Sequence, residues 1–245
     1  MSLETEISAL TATAKSLIDY FTGKKTGIDQ AVAAAVAAVP AMERNWYVNQ
    51  VTGSDDNVGS ATAPFASIDK ALNSTPVGGI CNVRLQADYV HTKNSVVSVR
   101  NLNILSDVTG TKRKFSLTYQ LDQLGAYFLT GFLASSSSSI GFLDVTQVMP
   151  SPAGLNPAPA GTANVMLKSG STQIAAVQAL KYASSEMQMA ADFAGCLALQ
   201  HSNAIILQVV STTFPSGFAG RYLYGVPAGA LPKDYPNVMT NLASL

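Results

Sequence analysis

From Gly78-Gly79 onward this chain is a series of short β patterns punctuated by Gly, Ser, Asn and Asp. Val83-Arg84-Leu85-Gln86-Ala87 alternates apolar and polar, as do Val97-Ser98-Val99 and Leu102-Asn103-Ile104-Leu105. Phe115 to Tyr119, Tyr127 to Leu133, Ile140 to Val145, Cys196 to Gln200 and Ala204 to Val210 continue the series. Alternation with period two is the mark of a strand with one face buried. Ile174 to Met189 fits a helix or a strand and is assigned to strand. The five serines from Ser135 to Ser139 are expected to form an exposed loop. Met149 to Thr162 contains four prolines and no apolar period, so 149–162 is expected to be a linker or excursion dividing the β part into 41–148 and 163–245.

The first 40 residues differ. Leu3, Ile7, Leu10, Ala14, Leu17 and Phe21 fall at alternating steps of four and three, the spacing of a coiled-coil seam. Ser2 is placed to cap this helix, and Gly23 to stop it. After a polar hinge at Gly23-Lys24-Lys25-Thr26-Gly27, a second helix is expected with Ile28, Val32, Ala35 and Val39 on one face, ended by Pro40. Helices this short are marginal alone and need a partner. That partner is either another copy of the chain or the chain itself, folded back as a helical hairpin. Self-association is the expectation, through Leu3, Ile7, Leu10, Leu17, Phe21, Ile28 and Val32.

Composition supports an assembled protein. Charged residues are 12% of the 245, and Lys plus Arg (15) equals Asp plus Glu (15). A neutral chain has no electrostatic footprint for nucleic acid. The Lys112-Arg113-Lys114 run is expected to be a solvated turn. Small soluble monomers use surface charge to stay dispersed, and such a low charge content fits a surface covered by copies of itself. The acidic start Met1 to Glu6 lacks signal-peptide features, and the Ala31 to Val39 run is too short to span a bilayer. Cytoplasmic synthesis and no membrane insertion are therefore expected. Cys81 and Cys196 sit in apolar surroundings and read as buried free thiols.

Trp46-Tyr47-Val48-Asn49, Gly53-Ser54-Asp55-Asp56-Asn57-Val58-Gly59 and Ala63-Pro64-Phe65-Ala66-Ser67-Ile68-Asp69-Lys70-Ala71-Leu72 together resemble the entry to a pectate-lyase-like right-handed parallel β-helix. Val83, Leu85 and Tyr89 match the strand that comes after such an entry, and Asn101 to Asp107 its next rung. The preceding helical segment, Leu10 to Pro40, is similar to the N-terminal regions of bacteriophage tail-fibre and tailspike-like proteins. The resemblance covers residues 3–107. It implies a mainly β fold: a right-handed parallel β-helix preceded by a short, coiled-coil-like helical segment at 1–40. A β-sandwich is the alternative.

The residues that could carry chemistry are few. Glycoside hydrolysis needs two carboxyls roughly 5–9.5 Å apart, and Asp55-Asp56, the only adjacent acidic pair, lies in the Gly-rich entry loop, where Asp caps backbone turns. The resemblance supplies no basic catalytic residue or calcium-binding set at matching positions. His91 and His201 are the two histidines, and His201-Ser202-Asn203 reads as a turn. No nucleophile elbow, phosphate loop or dinucleotide fingerprint occurs. No catalytic residue, metal site or cofactor is expected. Arg221, Tyr222 and Tyr224, near Phe214 and Phe218, form the best candidate glycan surface, since aromatic rings stack on sugar faces. The same residues also suit a terminal core or an inter-subunit contact. The irregular tail from Leu231 to Pro236 suits docking.

These features together lead to the expectation of a structural virion protein of a phage tail fibre or baseplate appendage, a homotrimer that joins other tail or baseplate proteins and contacts host surface polysaccharide. A polysaccharide-degrading tailspike and a purely structural tail connector are the alternatives.

Overall fold

The computed structural model describes residues 2–38, 42–97, 100–134, 136–169, 176–199 and 204–245. Val39, Pro40, Ser98, Val99, Ser135, Ile174, Gln200 and His201 to Asn203, to which the sequence assigned seam, turn, loop or strand roles, lie outside them. The chain divides into two compact units, Met1–Met42 and Glu43–Leu245.

The first unit holds one helix, α1, Leu3–Ala38, of 36 residues. Ser2 caps it, accepting the Thr5 amide through Oγ at 3.4 Å. The expected hinge and second helix are corrected: Gly23 and Gly27 sit inside a continuous helix. Each glycine costs a helix interior about 1 kcal/mol relative to Ala. Two isolated losses of that size are outweighed by the good helix formers on either side. At about 1.5 Å per residue, α1 is about 54 Å long.

The second unit is mainly β. Strands β1 (Glu43–Val48), β2 (Ile80–Leu85), β3 (Tyr89–His91), β4 (Asn94–Val96), β5 (Asn101–Ser106) and β6 (Arg113–Leu117) come first, with helix α2 (Ile68–Asn73) between β1 and β2. Next are β7 (Tyr119–Leu121), β8 (Tyr127–Leu129), β9 (Gly131–Ala134), β10 (Ser138–Leu143), β11 (Val145–Met149) and β12 (Val165–Ser169). The last five are β13 (Val177–Ala183), β14 (Glu186–Met189), β15 (Cys196–Ala198), β16 (Ala204–Val210) and β17 (Val238–Thr240). One sheet has the order β1-β2-β5-β10-β13-β16-β17, a second β14-β11-β6-β3, a third β15-β12-β9-β4, and β7-β8 is an antiparallel pair.

The expected right-handed parallel β-helix, and the β-sandwich alternative, are both corrected. A sandwich packs antiparallel sheets face to face, whereas all pairings in the three larger sheets are parallel. A β-helix repeats a rung of even length. Here the sheets hold seven, four and four strands, β1–β2 and β16–β17 are consecutive strands of one sheet, and the antiparallel β7–β8 ribbon intervenes. The architecture is several parallel sheets of short strands. The Pro-rich stretch lies between β11 and β12 in this unit, and strands on both sides of it share sheets, β10 pairing with β13.

Two further local expectations are corrected. Ser138 and Ser139 open β10, with Ser138 buried, because strand pairing with Gln178 and Ala179 draws the end of the serine run into the sheet. Arg113 and Lys114 likewise begin β6, where Arg113 Nε meets Asp107 Oδ1 at 3.1 Å.

Parallel register stacks like on like. Cys81, Leu102, Ile140, Leu180 and Leu207 form one buried row, and Val83, Ile104, Phe142 and Tyr182 the next. Each fully buried side chain of this size contributes about 1.5–3 kcal/mol. Between the first and second sheets the chain turns on single residues in the left-handed region, Asp144 (φ 55°) after β10 and Ser184 (φ 52°) after β13. They stack: the Asp144 amide donates to Ala183 O and the Ser184 amide to Val210 O, both at 3.0 Å.

The entry loop is held by its polar residues. Asp55 accepts the amides of Ala66 and Ser67 at 3.0 and 2.9 Å and the Ser67 hydroxyl at 2.7 Å. Ser67 in turn caps α2 by accepting the Lys70 amide at 3.1 Å. Trp46 packs on Phe65, centroids 5.2 Å apart, and donates its indole N–H to Thr75 at 2.9 Å. Gly59 (φ +74°) lies against both rings, and a Cβ there would meet Phe65 at 2.5 Å and Trp46 at 2.7 Å. Gly59→Ala should therefore lower stability by about 1–3 kcal/mol, seen as an earlier urea midpoint with an unchanged slope. An unshifted midpoint would show that the loop yields freely.

Candidate functional site

The three residues expected to form a glycan surface have different neighbours. Tyr222 packs edge-on against Phe214 and Phe218, both at 5.2 Å. Phe214 reaches Tyr182 at 5.9 Å, and Tyr182 stacks on Phe142 at 5.1 Å. Tyr222 thus closes an aromatic column that continues through Phe115 to Tyr89. Burial raises its phenol pKa. Arg221 lies over Phe193 at 5.9 Å, with its Nε buried and without a hydrogen-bond partner among the described residues. Tyr224 is half-buried, its hydroxyl on the Gly161 side.

The residues expected to drive self-association are all on the surface of α1. Leu3, Ile7, Leu10, Leu17, Phe21, Ile28 and Val32 are 55–72% exposed. Because α1 is continuous, the first seam runs on in phase through Lys24, Ile28, Ala31 and Ala35, with Val32 beside it. The stripe is about five heptads long, and Lys24 is the charged residue within it.

His91 is a core residue. It is 1% exposed, its Nε2 donates to Gly131 O at 2.9 Å, and Phe115 and Phe132 flank its ring at 5.4 and 5.1 Å. Burial lowers its pKa from the ordinary 6.5. Cys81 is buried and free, its thiol pushed up to about 11 by desolvation; Cys196 is free and half-buried rather than buried. Among the described residues no cluster of three or more His, Cys, Asp or Glu could hold a metal ion, and no helix is long and apolar enough to cross a membrane.

Sequence reasoning missed Lys168, on β12. Its Nζ donates to Leu129 O at 2.6 Å and Asn94 Oδ1 at 3.1 Å, and lies 5.8 Å from the Phe128 ring centroid. Strands β4 and β8 thus meet β12 at this one ammonium and fix its position. A groove of about 410 Å³ opens beside it, lined by Asn94, Asp122, Phe128, Leu133, Thr162 and Lys168 among others. The two ion pairs found among the described residues, Lys93–Asp69 and Arg113–Asp107, do not involve it. Asp122 Oδ1 accepts the Leu124 and Ala126 amides at 2.9 and 2.8 Å, tying it to the β7–β8 turn. Desolvation, with no offsetting charge, lowers the Lys168 pKa from 10.5 to about 7. The sequence signal was present: a lysine comes directly after the apolar run Val165-Met166-Leu167 in β12. Only the fold shows that it faces neutral acceptors.

No family model matches this chain, and no curated protein matches it. Among solved structures, a rhamnogalacturonan lyase is similar over 69% of this chain and 56% of that one, at 8% identity and a TM-score of 0.35. The match spans just over half the length of that protein, and a likeness this slight carries neither a fold nor an activity.

The depressed pKa makes stability depend on pH. Above about pH 7 the folded chain releases the Lys168 proton while the unfolded chain keeps it to about 10.5. The unfolded state then binds more protons, so stability rises with pH across that window. The cost of burying the charge is fully present below pH 7. Lys168→Met removes that cost, so its melting temperature should exceed that of the unaltered chain at pH 6.5, with the gap closing toward pH 10. Parallel melting curves for the two proteins over that range would show that Lys168 is solvated.

Proposed function

We propose that this chain is a self-associating structural protein of a phage tail fibre or baseplate appendage. In the virion, α1 joins three copies to one another, and the β unit serves as a stiff body that meets other tail or baseplate proteins and the host cell surface. The observation that carries this reading is the exposed stripe on α1. A helix stripe of Leu, Ile and Phe about five heptads long belongs against a matching stripe. The Ala-rich end of α1, from Ile28 onward, is apolar almost all round, as in helices that are covered on every side. The low charge of the chain points the same way. The tail-fibre assignment comes from the sequence resemblance over residues 3–107. So does the subunit number of three, which the mixed Ile, Ala, Phe and Leu of the stripe does not fix.

Lys24 within the stripe has a place in this reading. A single polar residue in an apolar seam costs stability and selects one register and one subunit number.

Light scattering tests the reading on the full-length protein. A mass of three times 25.6 kDa is expected, falling to that of one chain when Leu10 and Leu17 are both replaced by Glu or when residues 1–42 are removed. A monomeric mass for the unaltered protein at micromolar concentration overturns self-association, and a dimeric mass overturns the count of three. In the same assay, Lys24→Leu should raise the melting temperature of the oligomer while broadening its mass distribution. A single unchanged mass for this variant would remove the register role from Lys24.

A further inference from the structure

We propose that the groove beside Lys168 is a binding site for a carboxylate-bearing ligand, whose carboxylate pairs with the ammonium and whose ring or apolar face lies on Phe128. This site is independent of how α1 associates.

A half-buried lysine whose ammonium is held, among the described residues, by two neutral oxygens is costly, since neutral acceptors offset only part of the desolvation of an unpaired ion. A desolvated ionisable group at the wall of a groove marks a candidate binding site. Here the ammonium is also fixed in place. Leu129 O at 2.6 Å and Asn94 Oδ1 at 3.1 Å hold Nζ at the groove wall. The volume, about 410 Å³, is within the range of about 300–1,000 Å³ usual for small-molecule sites. The lining divides the ligand into parts. Lys168 takes the charge. The half-buried Phe128 ring offers a flat apolar platform. The Thr162 hydroxyl and the Asn94 amide can bond polar substituents.

Asp122 narrows the class of anion. It lines the same groove, and its Oδ1 is engaged by the turn amides. A second carboxylate nearby disfavours ligands carrying two negative charges, so a monoanionic carboxylate fits better than a dianion such as sulfate. The ammonium must be protonated to pair, so affinity should fall as pH rises above about 7.

Calorimetric titration of the full-length protein with benzoate and glucuronate tests this, with benzyl alcohol, glucose and sulfate as counterparts. These two carboxylates separate an aromatic acid from a sugar acid. Binding of at least one is expected, at least tenfold tighter than its neutral counterpart and than sulfate, and weaker at pH 9 than at pH 6.5. Lys168→Met should lose that binding by tenfold or more while its unfolding midpoint at pH 6.5 stays at or above that of the unaltered protein. Phe128→Ala should weaken the bound acid while sparing the fold. Binding of neither carboxylate, equal binding of the neutral counterparts, or unchanged binding by Lys168→Met overturns the proposal.

Discussion

Parallel pairing without register slip governs the packing of the β unit. Ile80–Leu85 pairs with Asn101–Ser106, that strand with Ser138–Leu143, and that one with Val177–Ala183. Each residue is thereby laid on its counterpart, and a slip of one position would turn every buried side chain to the other face. The rows Cys81-Leu102-Ile140-Leu180 and Val83-Ile104-Phe142-Tyr182 exist only in this register. So does the stacking of the turns at Asp144 and Ser184, each of which donates its amide to the next strand end. The aromatic column from Tyr89 to Tyr222 draws on the same alignment: Tyr89 and Phe115 are register partners, as are Phe142 and Tyr182, and Phe214 and Tyr222 extend it from outside the strands at spacings of 5.1 to 6.0 Å.

Against this apolar stacking, polar groups inside the unit are mostly matched. Gln147 is fully buried, yet its amide contacts Met166 Sδ and its oxygen accepts the Tyr182 hydroxyl at 2.6 Å. His91 is neutral and bonded to a carbonyl. Lys168 differs in kind, because its hydrogen bonds are made while, among the described residues, no ion pair matches its charge. A tyrosine or histidine buried in this core needs only a hydrogen bond, whereas an ammonium also needs a counter-ion.

α1 poses the opposite problem. Its residues are sound for a helix but have no buried face: every described side chain from Ser2 to Ala37 is exposed. Most helical stability in proteins comes from packing an apolar face. A stripe of this length therefore makes association the natural source of stability for this segment, and the two glycines inside it make that contribution more important.

The sequence by itself determined the local elements whose cause is local. Alternation marked most strands, the four-three spacing marked the stripe on α1, and Ser2 and Ser67 cap helices through their own hydroxyls. The entry loop was legible because Asp55, Gly59 and Phe65 act on residues close in the chain. What only the tertiary structure decided depended on contacts distant in sequence. Gly23 and Gly27 looked like a hinge, but their weak preference against helix lost to the flanking residues. Ser138 and Ser139 looked like loop until pairing with Val177–Ala183 drew them into a strand. The division of the strands into unequal parallel sheets has no signature in period-two alternation, which gives a strand its faces and leaves its neighbours open. Tyr222, read as either a glycan surface or a terminal core near Phe214 and Phe218, was settled as a packing residue by its edge-on contacts with those two rings. Lys168 acquired its character only when β4 and the Phe128–Leu129 segment brought neutral oxygens and a ring to its amine, because desolvation is a property of surroundings and not of the residue.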